Sequence, residues 1–296
     1  MDAVLLGLLA GALAGASNVS LHVGLRRLDD VEAAALMMIL IAFVMVALTA
    51  AAVQREPVAW EAIWPFLLLG VIGPGLSTIL FVTAVSRAGA SRSAVLANTF
   101  PLFATVLAIT LLGESVRVAL VVGTVLVVAG AIGLTLSGNA PSQARGWFFR
   151  IGMVAALLAA LTIAGRDTAV RWIGEGDELS AVVASAATLL TGSATLVAFV
   201  LFTGRGRNPM ARMGAAILPF ALVGLLTGVT TLAIFEALER GQVTVVSPLI
   251  GTAALWTLAF SVLVLRGSEG LGRRVVISAG VVAAGVALIG ATGGSG

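Results

Sequence analysis

The chain has no cysteine, no lysine and a single histidine, and only 10% of its 296 residues are charged. Without cysteine, disulfides, thiolate nucleophiles and thiolate metal sites are excluded. One histidine, His22, cannot assemble a metal centre by itself. Without lysine, all 17 basic residues are arginine, so the pI near 11.1 misleads: the formal net charge is only +3. That balance gives no case for nucleic-acid binding. No paired-carboxylate motif, histidine cluster, nucleophile elbow or nucleotide loop stands in the sequence, so neither a cofactor nor an enzymatic activity is expected.

The scarcity of charge fixes the solvent. A soluble domain carries about a quarter charged residues, whereas here 59% are hydrophobic and the mean hydropathy is +1.12. Uncharged runs near 20 residues recur, and the spans fall roughly at 3–25, 33–53, 62–85, 93–112, 118–137, 147–166, 179–203, 213–236, 243–265 and 274–292. Each can cross roughly 30 Å of hydrocarbon as a helix, and helices satisfy their own backbone groups there. The expected fold is therefore all-α and integral to the membrane, with ten spans and the lipid bilayer as its partner. Met1-Asp2 lacks the positive flank of a cleaved signal, so span 1 is expected to be retained.

The chain is also written twice. Trp64-Pro65-Phe66-Leu67-Leu68-Leu69-Gly70 returns as Leu218-Pro219-Phe220-Ala221-Leu222-Val223-Gly224, 154 residues on, and the same offset pairs Ser77 with Thr231 and Phe81 with Phe235. An offset of 155 pairs Gly113-Glu114 with Ser268-Glu269 and Ala129-Gly130 with Ala284-Gly285. The halves join at the turn-like Ser137-Gly138-Asn139-Ala140-Pro141-Ser142. This gives repeats at 1–138 and 146–296 and a linker at 139–145. Each unit holds five spans, an odd number, so the second copy enters the membrane from the opposite side. Inverted repeats build secondary transporters, with a site near the midplane between the halves.

Polar residues inside the spans are the candidates for that site. In span 1, Gly7, Gly11, Gly15, Asn18 and His22 share one helical face. The glycines offer a close-packing surface. Asn18 is then either interhelical glue or cavity lining, and His22 a candidate for proton sensing or coupling at the cavity mouth. In span 4, Asn98 and Thr99 precede Pro101, which frees a carbonyl near Ala97. Asn98 either satisfies that break or lines a site. Gly73-Pro74-Gly75 forms a second hinge, followed by Ser77. Span 6 is expected to end at Arg166-Asp167, with Asp167 paired to Arg171 four residues on. Arg166 would either face a substrate carboxylate or phosphate or snorkel to the headgroups.

In span 8, Thr230 and Thr231 suit a small polar solute. Glu236 and Glu239 are either coupling carboxylates or plain end-of-helix acids. Ser247 and Trp256 are the candidates in span 9, Trp256 as an aromatic cap or as packing. Glu114 and Glu269 precede spans 5 and 10 and are read as structural, complementing helix N-termini. Spans 5 and 10, rich in small residues, are expected to be peripheral packing helices and a candidate homodimer surface.

Ten spans in two copies, Gly15-Ala16-Ser17-Asn18 in span 1, Asn98-Thr99-Phe100-Pro101-Leu102-Phe103 in span 4, and Leu111-Leu112-Gly113-Glu114 echoed by Leu265-Arg266-Gly267-Ser268-Glu269 together resemble the EamA family of the drug/metabolite transporter superfamily. The resemblance covers essentially the whole chain. It implies a basket of ten helices around a central cavity that alternates its access, and no particular substrate. The chain departs from the pattern where Pro101 would recur, at Thr252-Ala253-Ala254-Leu255-Trp256.

Twelve arginines fall on the loops joining spans 1–2, 3–4, 5–6, 7–8 and 9–10, and five on the other face. The positive-inside rule puts the first face in the cytoplasm and both termini outside, in what is expected to be a prokaryotic plasma (inner) membrane. The leading expectation is a secondary active transporter of small polar organic solutes, an exporter of amino acids or related metabolites. A flippase for a lipid-linked substrate is the alternative.

Overall fold

The computed structural model describes residues 2–28, 30–55, 57–115, 117–136, 147–174, 179–203, 209–264 and 273–293. Within them, regular structure is helical throughout. Ten helices are long and apolar enough to span a bilayer: Ala3–Arg27, Val31–Val53, Trp60–Ala88, Arg92–Leu111, Val118–Leu136, Trp147–Gly174, Ala181–Phe202, Ala216–Arg240, Val243–Leu263 and Arg273–Ala291. The linker expected at 139–145 and Glu269 lie outside the described residues.

One span end differs from expectation by about two turns: span 6 continues through Asp167 to Gly174. In span 6 the reason is local: adjacent Arg166 and Asp167 neutralise each other (Nη2 to Oδ1, 2.6 Å), so the helix carries both charges without stopping.

The two halves pack with two-fold logic. Span 1 lies against spans 8 and 9, and span 6 against their counterparts, spans 3 and 4; spans 2 and 7, 4 and 9, and 5 and 10 pair across the pseudo-axis. Glycine makes these crossings close. A Cβ on Gly15 would stand 2.5 Å from that of Trp256, and one on Gly11 2.8 Å from the Leu249 carbonyl oxygen. The span 1 glycine face is thus covered by span 9.

Spans 5 and 10 meet through Gly123, Gly130 and Gly285, and a Cβ on Gly285 would stand 2.7 Å from the Gly123 carbonyl oxygen. The glycines expected to mark a dimer surface are therefore used largely within the chain. Gly280 and Gly290 face open space.

Hinges occur where the sequence weakens the helix. Around Pro74, residues Val71–Leu76 wind as a π-helix, as expected where proline removes a donor. Span 4 breaks between Ala97 and Phe100, and span 9 between Ile250 and Ala253. The second break forms with no proline at the matching position. There Gly251 crosses Pro101 of span 4, and a Cβ on it would meet the Pro101 ring at 3.0 Å.

The symmetry fails in one respect. The first half of span 9 (Val243–Ile250) packs on the second half of span 4 (Phe100–Leu111). Their counterparts, the first half of span 4 (Ala90–Ala97) and the second half of span 9 (Ala253–Val264), make at most slight contact. Spans 6 and 8 likewise touch at their last turns, whereas the equivalent spans 1 and 3 scarcely meet.

One buried cluster spans both halves at the face carrying the chain termini, drawing in Leu6, Phe66, Ala108, Val170, Phe235 and Val246. Toward the opposite, arginine-rich face the described contacts fall mainly into two groups. Spans 3, 4 and 6 are joined by Arg87 over Phe148 and Arg92 over Phe149, at 5.5 and 5.0 Å. Spans 1, 2 and 8 are joined where Gly24 meets Phe220 and Gly224 meets Ile41.

Candidate functional site

The terminal face is closed by three kinds of contact. Phe66 of span 3 and Phe235 of span 8 bring their ring centroids to 6.3 Å. Arg171, at the end of span 6, donates to the carbonyl oxygens of Leu238 and Glu239 at 3.3 and 2.8 Å. Glu114 accepts from the backbone N–H groups of Val243 and Thr244 and from the Thr244 hydroxyl, at 2.8, 3.0 and 2.7 Å. This corrects the sequence reading of Glu114. Its role is structural, but it caps span 9, in the other repeat, because Gly113 (φ 67°) turns the chain back over that helix end.

Beneath this seal lies a buried polar group inside the membrane-spanning region. Asp167 is fully buried, Arg166 donates to its Oδ1 through Nε and Nη2 at 3.0 and 2.6 Å, and the Ser247 hydroxyl donates to Oδ2 at 3.2 Å. The aliphatic stem of Arg166 lies on span 3, where a Cβ on Gly73 would meet its Cδ at 2.9 Å. Spans 3, 6 and 9, from both repeats, thus converge on one ion pair. The expected Asp167–Arg171 pair does not form. The extra turns of span 6 place Asp167 in the interior beside Ser247 and leave Arg171 at the helix end.

The other candidates disperse. Asn18 is exposed and donates to Thr257 of span 9 at 3.2 Å, and His22 is exposed one turn further along span 1. Asn98 donates to Thr135 of span 5 at 3.3 Å and so leaves the freed carbonyl of its own helix alone. Thr230 and Thr231 return their hydroxyls to the carbonyls of Leu226 and Thr227. Ser77 is buried directly after the π-helix.

Glu236 pairs with Arg240 on its own helix and edges a shallow apolar groove formed by spans 1, 7 and 8. Trp256 stacks on Phe260 at 5.9 Å, and its Cβ packs over Gly15. The structure therefore brings Arg166 and Ser247 together around Asp167, a residue read from sequence as interfacial. The available signal was two adjacent opposite charges followed by a further apolar turn.

A second register of the repeat appears here. Ala14-Gly15 returns as Ala164-Gly165 and Gly24 as Gly174, 150 residues on, which sets Ser17 against Asp167. The 154-residue offset sets Ser93 against Ser247. Ser17 lies 3.1 Å from Thr227 of span 8, and Ser93 donates to its own Gly89 carbonyl at 2.9 Å. Among the described residues, the Asp167–Ser247 contact at the terminal face has no equivalent between Ser17 and Ser93.

The family model of EamA-like transporters matches residues 1–136 and 150–291, once per half. The chain belongs to the EamA-like transporter family. It is an integral, multi-pass membrane protein with ten helices in two inverted five-helix repeats around a central cavity. No curated protein matches it. Among solved structures 29 chains match. One, a crystal structure of a protein 18% identical in sequence, gives a TM-score of 0.78 and covers 98% of this chain and 97% of its own, a likeness of fold.

Proposed function

We propose that this EamA-family protein is a secondary active transporter of small polar organic solutes that works by alternating access, exporting amino acids or related metabolites. The observation that supports this most is the broken symmetry at the crossing of spans 4 and 9. Two equivalent contacts exist in the repeat, one made at the terminal face and the other parted at the arginine-rich face. Exchanging the conformations of the two halves would close the second and open the first, at little cost in packing because the repeats are alike. With arginine marking the cytoplasm, the present form is open inward, the state in which an exporter loads, and both termini lie outside a prokaryotic inner membrane.

The test is counterflow in proteoliposomes, with labelled amino acids, polyamines, nucleosides and organic anions as the panel and a fluorescent phospholipid as the lipid arm. Saturable exchange of at least one soluble solute is expected. Lipid scrambling without any solute exchange would overturn the proposal in favour of a flippase.

A further inference from the structure

Arg166 has an unused edge. Its guanidinium carries five N–H groups, and Asp167 takes two of them, from Nε and Nη2. The end-on fork, Nη1 with the second Nη2 hydrogen, has no partner among the described residues. Every buried side-chain nitrogen and oxygen there is hydrogen-bonded, so the unpartnered Nη1 borders open space. The side chain is 15% exposed.

Direction matters as well. Arg166 lies about 12 Å along the helix from Gly174, at 1.5 Å per residue. Helical side chains lean toward their own N-terminus, which for span 6 is the arginine-rich end. The contact with Gly73, near the middle of span 3, agrees. Snorkelling toward the nearer headgroups would need the opposite lean.

We propose that the Nη1–Nη2 edge of Arg166 is a carboxylate subsite, so that the transported solutes carry a free carboxylate or comparable planar oxyanion. The proposal rests on the transport reading above. Asp167 and Ser247 are positioning residues: they hold the other edge, fix the plane of the fork and cancel the cation's charge while the site is empty. A planar fork receives a carboxylate through two parallel hydrogen bonds, which a point charge cannot do.

Phenylglyoxal, which adds across the two terminal guanidinium nitrogens, tests this edge directly. The protein in phosphatidylcholine nanodiscs is treated with the reagent, and the peptide carrying Arg166 is quantified by mass spectrometry. The probes are L-alanine, pyruvate and succinate, each against its carboxamide. One or more carboxylates should slow modification of Arg166 on the order of tenfold, as expected for hydrogen bonds to a charged group, with no effect of the amides. Arg87 and Arg92 should keep their reactivity.

Asp167→Asn should release the second edge, raise reactivity and weaken the protection. If that variant does not fold, Ser247→Ala should weaken protection in the same sense, with rescue by Ser247→Thr. Absence of protection by any carboxylate, equal protection by the amides, or protection that needs phosphatidylglycerol in the disc would each overturn the subsite. Solute counterflow without protection would sink the subsite alone. Protection without counterflow of any solute would leave the subsite standing and sink the transport reading.

Discussion

Glu114 and Thr244 stand in different repeats, yet the carboxylate of one holds both the backbone N–H and the hydroxyl of the other. A carboxylate on a helix N-terminus meets unsatisfied donors and the positive end of the helix dipole together. Because the capped helix is half of the closed crossing, the bond belongs to the seal as well as to the fold. Glu114→Ala should lower stability by about 1–2 kcal/mol, read as a lower melting temperature in detergent. An unchanged melting temperature would show that water replaces the cap without loss.

The seal itself predicts a lock. A Cβ on Gly174 would stand 3.6 Å from Cγ of Glu239, the position a cysteine sulfur at 239 would take, so a cysteine pair there comes within cross-linking reach. The natural chain contains no cysteine to interfere. The double variant Gly174→Cys/Glu239→Cys should cross-link on mild oxidation, stop counterflow, and recover on reduction. Full counterflow in the cross-linked protein would rule out opening at the terminal face.

The repeat predicts the partner contact that this form lacks. Ser17 and Ser93 are the counterparts of Asp167 and Ser247. Ser17→Cys/Ser93→Cys should cross-link slowly in the resting protein and faster while a transported solute is exchanging. Equal rates in both conditions would count against a swap of conformations between the halves.

Glycines at matching positions should respond in opposite ways. Gly15 is pressed against Trp256, whereas Gly165 has no neighbour within 4 Å of a built Cβ. Gly15→Ala must push two helices apart and should destabilise. Gly165→Ala should raise stability by up to about 1 kcal/mol through helix propensity alone. Melting temperatures of the two variants, measured side by side, decide it.

What could be read beforehand follows from how far each signal reaches along the chain. Ten spans and the repeat were legible because hydropathy and self-similarity accumulate over whole helices. The glycine face of span 1 was legible because its spacing is local to one helix. The site was legible only in part. Arg166 and Ser247 stand out singly in the sequence, but their meeting depends on span 6 continuing past Asp167 and on the crossing of spans 3 and 9, which no single-helix pattern encodes. Glu114 was misassigned for the same reason. It precedes span 5 in sequence, yet the donors it satisfies lie 129 residues away. Asn98 and Trp256 show the converse: a polar or aromatic residue in a span reads alike whether it lines a cavity or joins two helices.

The pairing of spans 5 and 10 reaches back into the making of the protein. Gly123 emerges from the ribosome long before Gly285 and Ile289, the residues that cover it. Until span 10 enters the bilayer, span 5 stands with a bare small-residue face toward lipid, one that any passing helix of similar surface would fit. The first repeat therefore completes its assembly only when the last helix arrives. A chain delayed between those two events is open to pairing with a neighbour in place of itself.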